Sequence, residues 1–244
     1  MESSKDPAAP VDGTEEPLLS VIMPAYNEIE TLASVVQRVL KVGLRVEIIM
    51  IDDGSTDGTR ELMDELVVKY GIKAVKHEKN RGKGAALQTG FQHATGDLVI
   101  VQDADLEYDP DDYHLILRPF LEQNADVVYG SRYLVGRYTR VHPYYHYMGN
   151  CFLTFISNVF TGLKLTDMET CYKCFKREVV QDLKITSKRF TVEPEITARI
   201  AKKRLKIFEV PISYLGRDYS DGKKIGWKDG VAAIYSIIKF RFWG

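Results

Sequence analysis

Cysteine is scarce in this 244-residue chain: Cys151, Cys171 and Cys174 are the three. So few exclude a disulfide framework and make a reducing cytosol the default compartment. Cys171-Tyr172-Lys173-Cys174 has the CxxC spacing. No second pair of His or Cys accompanies it, so zinc is set aside and the two thiols are read as small residues on a strand. Net charge is also nearly missing, at −1, which removes any general electrostatic case for nucleic acid. No stretch approaches the ~18 uninterrupted apolar residues of a membrane-spanning helix. Residues 1–17 are polar and rich in Pro, Ala and Glu, without an apolar run, and read as a disordered leader rather than a signal peptide. Two nucleotide signatures are absent as well. No GxGxxG follows the first apolar run, and the one basic Gly-rich loop lacks Walker spacing. That argues against a dinucleotide-dependent dehydrogenase and a P-loop phosphohydrolase.

What is present is an ordinary apolar content, 45%, enough for the core of one large α/β domain. Apolar runs at Leu18–Met23, Val46–Ile51, Ile72–His77, Leu98–Gln102 and Ala125–Tyr129 read as strands. Between them, Thr31–Val42, a segment capped by Thr56 or Asp57 and running to Lys69, Gly84–Ala94 and Pro110–Glu122 read as helices, the last kinked at Pro119. Such alternation predicts right-handed βαβ units and a mostly parallel, Rossmann-like sheet with helices on both faces. Later, Cys151–Leu163 is an uncharged helix that places Phe152, Leu153, Phe155, Ile156, Val159, Phe160 and Leu163 on one face. Phe190–Arg204 is a second helix, with Glu193 and Glu195 in its first turn, Ile207–Tyr214 a strand, Gly216–Gly226 a polar loop and Trp227–Trp243 a last helix. The division expected is leader 1–17, catalytic domain 18–226 and C-terminal amphipathic helix 227–244.

In parallel α/β sheets ligands bind beyond the carboxyl ends of the strands. The polar motifs fall there: Tyr26-Asn27-Glu28, Asp52-Asp53-Gly54-Ser55, Asn80-Arg81-Gly82-Lys83-Gly84 and Asp103-Ala104-Asp105. That coincidence predicts one shared site. Asp103, Asp105 and Glu107 alternate along an extended chain, so they can face one point. Oxygen-only ligands suit Mg²⁺ or Mn²⁺, and such a metal suits a diphosphate. Lys83 and Arg81, in a loop at a helix start, suit phosphate. An aromatic ring such as Tyr26 can stack on a nucleobase.

In this order the four motifs, with the preceding Val21-Ile22-Met23-Pro24-Ala25, resemble the inverting family 2 glycosyltransferases of the GT-A fold. Gly130-Ser131-Arg132-Tyr133 and the Arg217…Lys223 loop look like the dolichol-phosphate mannose synthase branch. The resemblance runs from about Leu18 to Lys224. It implies that Pro24, Tyr26, Glu28, Ile51 and Asp53 line the nucleotide pocket and that Asp103 and Ala104 contact the nucleoside. Asp105 then holds Mg²⁺ or Mn²⁺ on the donor diphosphate, with Glu107, where the branch often carries another polar residue. Arg132, Arg217 and Lys223 bind phosphates of donor and acceptor. The reaction implied moves a sugar, mannose from GDP-mannose in the first instance, to a polyprenyl or dolichyl phosphate with inversion. UDP-glucose or another donor stays open. So does a soluble sugar acceptor, with Asp167 or Glu169 as general base.

The chain departs from the branch at Tyr138–Tyr147, where an Arg/Ser-rich acceptor segment is usual. Arg137, Arg140, His142 and His146 are the candidates there for the acceptor phosphate. Asp167 is the best acid of the acceptor-side loop, in a capping or a direct role. Aromatic and basic residues of Ile234–Trp243 suit a membrane interface, so the expected place is the cytoplasmic face of a membrane, bound peripherally. A membrane subunit or a second copy of the chain is a further expected partner, and nucleic acid is not.

Overall fold

The computed structural model describes residues 16–134, 144–187, 191–216 and 227–243. The leader up to residue 15, Arg137, Arg140, His142 and the Arg217…Lys223 loop lie outside them, as does the side chain of His146. Seven strands form one sheet: β1 (Leu19–Ala25), β2 (Val46–Asp52), β3 (Lys73–Lys76), β4 (Leu98–Val101), β5 (Val127–Ser131), β6 (Lys173–Lys176) and β7 (Ile207–Pro211). Their order is β3-β2-β1-β4-β6-β5-β7. All pairings are parallel except those of β6, which runs antiparallel between β4 and β5. The alternating βαβ pattern could not reveal that insertion, because β6 lies some forty residues beyond β5 in sequence and pairs only through the tertiary fold.

The eight helices among the described residues are α1 (Leu32–Lys41), α2 (Thr59–Tyr70), α3 (Lys83–His93), α4 (Tyr113–Gln123), α5 (Tyr144–Thr161), α6 (Arg177–Gln181), α7 (Val192–Ala201) and α8 (Trp227–Trp243). Pro119 sits inside α4 as expected, and a 3-10 turn at Pro110–Asp112 precedes that helix. Leu32, Val35, Val36 and Val39 are the buried stripe of α1, the spacing of one helical face. β1, β2, β4 and β5 carry Val and Ile with almost no alternation. They are buried on both faces, as strands covered by helices on both sides must be. Gly90 lets α3 lie directly on the sheet: a Cβ there would come within 2.2 Å of Ile22 Cγ2.

Two expectations need correction. The apolar residues of α5 do not share one face. Leu153, Ile156 and Phe160 pack against the core, whereas Phe152, Phe155 and Val159 are exposed. Both sets have helical spacing, and only the position of the sheet decides which is inside. Leu163 lies past the end of the helix. The second correction is at α2, whose cap is Gly58, in a left-handed conformation. Asp57 contributes from one position earlier, accepting from the Thr59 N–H at 3.0 Å and the Thr59 hydroxyl at 2.6 Å.

Candidate active site

The carboxyl ends of the parallel strands bring the four motifs together. Gly54, with φ +79°, lets the loop after β2 touch the loop after β3; a Cβ there would meet Asn80 N at 2.6 Å. Asp53 then cements the contact. Its carboxylate accepts from Arg81 N (2.9 Å) and Gly82 N (2.7 Å), and His77 Nδ1 lies 2.8 Å away. Asp52 is fully buried and pairs with Arg60 Nε at 2.9 Å. Asp53 therefore shapes the basic loop from beneath, while Asp52 holds Ser55 and Arg60. Tyr26, just past the end of β1, is 39% exposed. Glu28 accepts from the Thr31 hydroxyl, and its N–H bonds Thr59 Oγ1. Pro24 is half-buried. Ile51 is fully buried beneath α3, and Ala104 is buried as well.

The acids after β4 are held by a buried polar relay. Gln102 Oε1 accepts from Tyr113 and Tyr172, each at 2.6 Å, while Gln102 Nε2 donates to the Asp103 carbonyl. Lys83, the first residue of α3, reaches across to Asp103 Oδ1 at 2.8 Å. Burial opposes a charge on Lys83, but Asp103 holds its pKa well above the ordinary lysine value. Leu106 adopts φ +64°, a left-handed conformation that costs a non-glycine residue about 1–2 kcal/mol. The turn sends the Glu107 N–H back to Asp105 Oδ1 at 3.2 Å. Glu107 Oε2 accepts from the Tyr214 hydroxyl at 2.8 Å, and its carbonyl accepts from Leu215 N.

Asp105 and Glu107 are thus neighbours. Among the described residues no three His, Cys, Asp or Glu side chains form a cage. One or two carboxylates suit Mg²⁺ or Mn²⁺ completed by substrate phosphates and water, so the residues fit a metal carried in with a diphosphate. Asp105 and Glu107 are the residues that would hold it, and Glu107 also anchors the 214–215 segment.

β5 ends at Ser131, and Arg132 follows it. Arg132 is 9% exposed and Asp167 is wholly buried. Arg132 Nε donates to Asp167 Oδ2 at 2.6 Å, Nη2 to Oδ1 at 2.7 Å, and the backbone N–H to Oδ2 at 3.1 Å. The guanidinium also stacks near the rings of Tyr133 and Tyr214, 5.6 and 5.1 Å from their centroids. Thr166 is held by Ser131 Oγ at 2.6 Å and, through its N–H, by Glu209 at 2.9 Å. Met168 N and Cys171 N bond Thr154 and Tyr108. The loop from Thr166 to Cys171 is therefore pinned at nearly every residue.

Two side chains at this site, Lys173 and Glu193, escaped sequence reasoning as site residues. Lys173 is fully buried on β6; its ammonium bonds the Thr170 carbonyl and Glu193 Oε2. Glu169 Oε1 is sealed from solvent without a hydrogen-bond partner. Burial first, and the nearby Glu193 charge second, raise the Glu169 pKa to about 7. The one available signal was Lys173 itself, a cation between the apolar residues of a strand.

Comparison with known proteins agrees with this geometry. The family model described as "Glycosyl transferase family 2" matches residues 20–184. The polyprenol monophosphomannose synthase of Mycolicibacterium smegmatis is 32% identical over 232 residues, covering 92% of this chain and 86% of its own. The UDP-N-acetylglucosamine–dolichyl-phosphate N-acetylglucosaminyltransferase of Methanococcus voltae is 28% identical, covering 92% and 96%. Among solved structures, glucosyl-3-phosphoglycerate synthase of Mycobacterium tuberculosis, in complex with Mn²⁺, UDP and phosphoglyceric acid, superposes with TM-score 0.69. It is 20% identical and covers 92% of this chain and 77% of that one. At that identity the likeness establishes the shared fold.

Proposed function

Since the chain belongs to glycosyl transferase family 2, we propose that it moves a sugar from a nucleotide sugar to the phosphate of a polyprenyl or dolichyl lipid, with inversion. The observation that carries this is the meeting of Asp103–Asp105, the Lys83 loop and the Arg132–Asp167 pair beyond the carboxyl ends of the parallel strands. The relatives' names add lipid-phosphate acceptors with either mannose or N-acetylglucosamine.

A lipid phosphate is an anion at neutral pH, so it needs no general base. The protein's task is to hold two anions together, which is electrostatic work. Tyr26 offers its ring to the nucleobase. Lys83 holds the Asp103 carboxylate toward the nucleoside through their 2.8 Å ion pair. Asp105 holds the metal, which when bound offsets charge on the departing diphosphate. Arg132 presents a guanidinium fixed in direction by Asp167; the carboxylate takes two of its five N–H groups. Arg217 and Lys223 are assigned to the phosphates on the sequence alone. Both Asp167 oxygens are engaged by Arg132, which weighs against Asp167 as base for a soluble sugar hydroxyl.

A lipid acceptor requires access to a bilayer. α5 exposes Tyr145, Met148, Phe152, Phe155 and Val159, and α8 exposes Val231, Tyr235, Phe242 and Trp243. The two helices meet at Phe160 and Phe242, with ring centroids 6.1 Å apart. Lys202, Lys203 and Lys239 are exposed on α7's end and α8. Asn150, near the start of α5, bonds the Tyr133 hydroxyl next to Arg132, so the apolar stripe starts beside the candidate site. No helix of the described residues is long and apolar enough to cross a membrane. The exposed apolar residues of α5 and α8 together are what support peripheral attachment, which we place at the cytoplasmic face.

The test is a panel of GDP- and UDP-sugars, GDP-mannose first, incubated with a short polyprenyl phosphate and Mg²⁺ or Mn²⁺. The expected product is a lipid-phosphate sugar of inverted anomeric configuration. Transfer only to soluble hydroxyl acceptors would overturn the reading.

A further inference from the structure

Behind the cleft, one carboxylate joins two lysines, of which the transfer chemistry above uses only Lys83. Glu193, in the first turn of α7, is 7% exposed. Its Oε2 takes the Lys173 ammonium, and its Oε1 lies 3.5 Å from Lys83 Nζ. Lys83 in turn grips Asp103 at 2.8 Å. Lys173 grips the Thr170 carbonyl and lies 5.1 Å from the Tyr129 ring centroid. A single carboxylate therefore links the acid on the donor side to the loop on the acceptor side. A buried lysine needs a counter-charge, and one oxygen of Glu193 satisfies that need for Lys173. The second oxygen, on Lys83, is not accounted for by it. Nor does the dipole of α7, which favours an acid at this turn, require two lysines.

Resting on the transfer reading above, we propose that Glu193 is a positioning residue for sugar transfer, setting Asp103 for the nucleotide through Lys83 and the Thr166–Cys171 loop for the acceptor through Lys173. The cluster balances two cations against Asp103 and Glu193, and the remaining acid, Glu169, retains its proton more readily than an ordinary carboxyl. Donor and acceptor sites joined in this way share a coupling free energy that acts in both directions.

The experiment uses the full chain in two arms. In the first, calorimetry follows binding of UDP and of GDP with Mn²⁺. Glu193→Gln is expected to weaken the nucleotide that binds wild type by about tenfold, with an effect that is not additive with Asp103→Asn. In the second, steady-state transfer is followed with the accepted donor. Donor KM is expected to rise, and kcat to fall by about tenfold to a hundredfold, the scale of small misplacements. A second variant, Lys173→Met with Glu193→Gln, removes the buried cation together with its partner and carries the test if the single variant does not fold. It should keep the weakened nucleotide binding, because Lys83 still lacks the Glu193 carboxylate. If it instead returns affinity, KM and kcat to within about twofold of wild type, Glu193 only neutralises Lys173 and the proposal fails. A folded Glu193→Gln with wild-type constants also overturns it. Should wild type bind nucleotide but transfer nothing to the lipid, the transfer reading fails and the binding arm alone judges Glu193.

Discussion

Asp167→Asn separates architecture from chemistry at this site. Asp167 is wholly buried and receives three N–H groups of Arg132, itself nearly covered. The change leaves a guanidinium buried with half its pairing lost and an amide group facing Nη2. Breaking a buried pair by removing one partner costs about 3–5 kcal/mol. That is a large share of the ~5–15 kcal/mol that holds a domain folded. At about 2–4 °C per kcal/mol for a chain of this size, the melting temperature should fall by roughly 6–20 °C. Arg132→Met with Asp167→Leu removes both charges, and such replacements are often neutral or stabilising. The double variant should therefore melt close to wild type while transferring no sugar. Scanning fluorimetry and urea unfolding measure both. A single variant melting within about 2 °C of wild type, or a double variant as unstable as the single, would show that the pair is not the buried brace described.

Three further outcomes follow from the geometry. Asp105→Ala should abolish turnover with little change in melting, since Asp105 is only partly covered; activity retained in metal-depleted buffer would exclude a role for the metal. Glu169 has a folded pKa near 7 against 4.5 for an ordinary glutamate. Its protonated form suits the fold, so its contribution is complete below about pH 4.5 and lost as pH rises to about 7, by up to about 3 kcal/mol. Glu169→Gln should remove that slope and melt above wild type at pH 8, and parallel pH profiles for the two proteins would refute the assignment. Phe152→Asp with Phe155→Asp should leave the melting temperature intact and abolish flotation with anionic liposomes, because both rings are exposed; unchanged flotation would move the membrane contact elsewhere.

The core of the sheet could be read along the chain because its signals are local. Val-Ile runs, an intervening helical period and acids or glycines at strand ends all lie within a few residues of one another. The same locality made Asp103, Asp105 and Lys83 visible as donor-side candidates. The acceptor side was not legible in the same way. Asp167 could be named, but not its partner, since the Arg132 contact spans thirty-five residues and requires β6 to enter the sheet between β4 and β5. Asp53 could be seen as an acid in a loop; only the approach of Asn80 to Gly54 turned it into the anchor of that loop.

The sequence by itself determined the α/β alternation, the family and the set of polar motifs at the strand ends, because periodicity and motif order need no knowledge of distant contacts. Only the tertiary structure decided which face of α5 is bare, that β6 runs backwards, and that Lys173, Glu193, Lys83 and Asp103 form one line of charge. Burial and ion pairing depend on what lies across the fold, and for a side chain such as Lys173 that neighbour is found far along the chain.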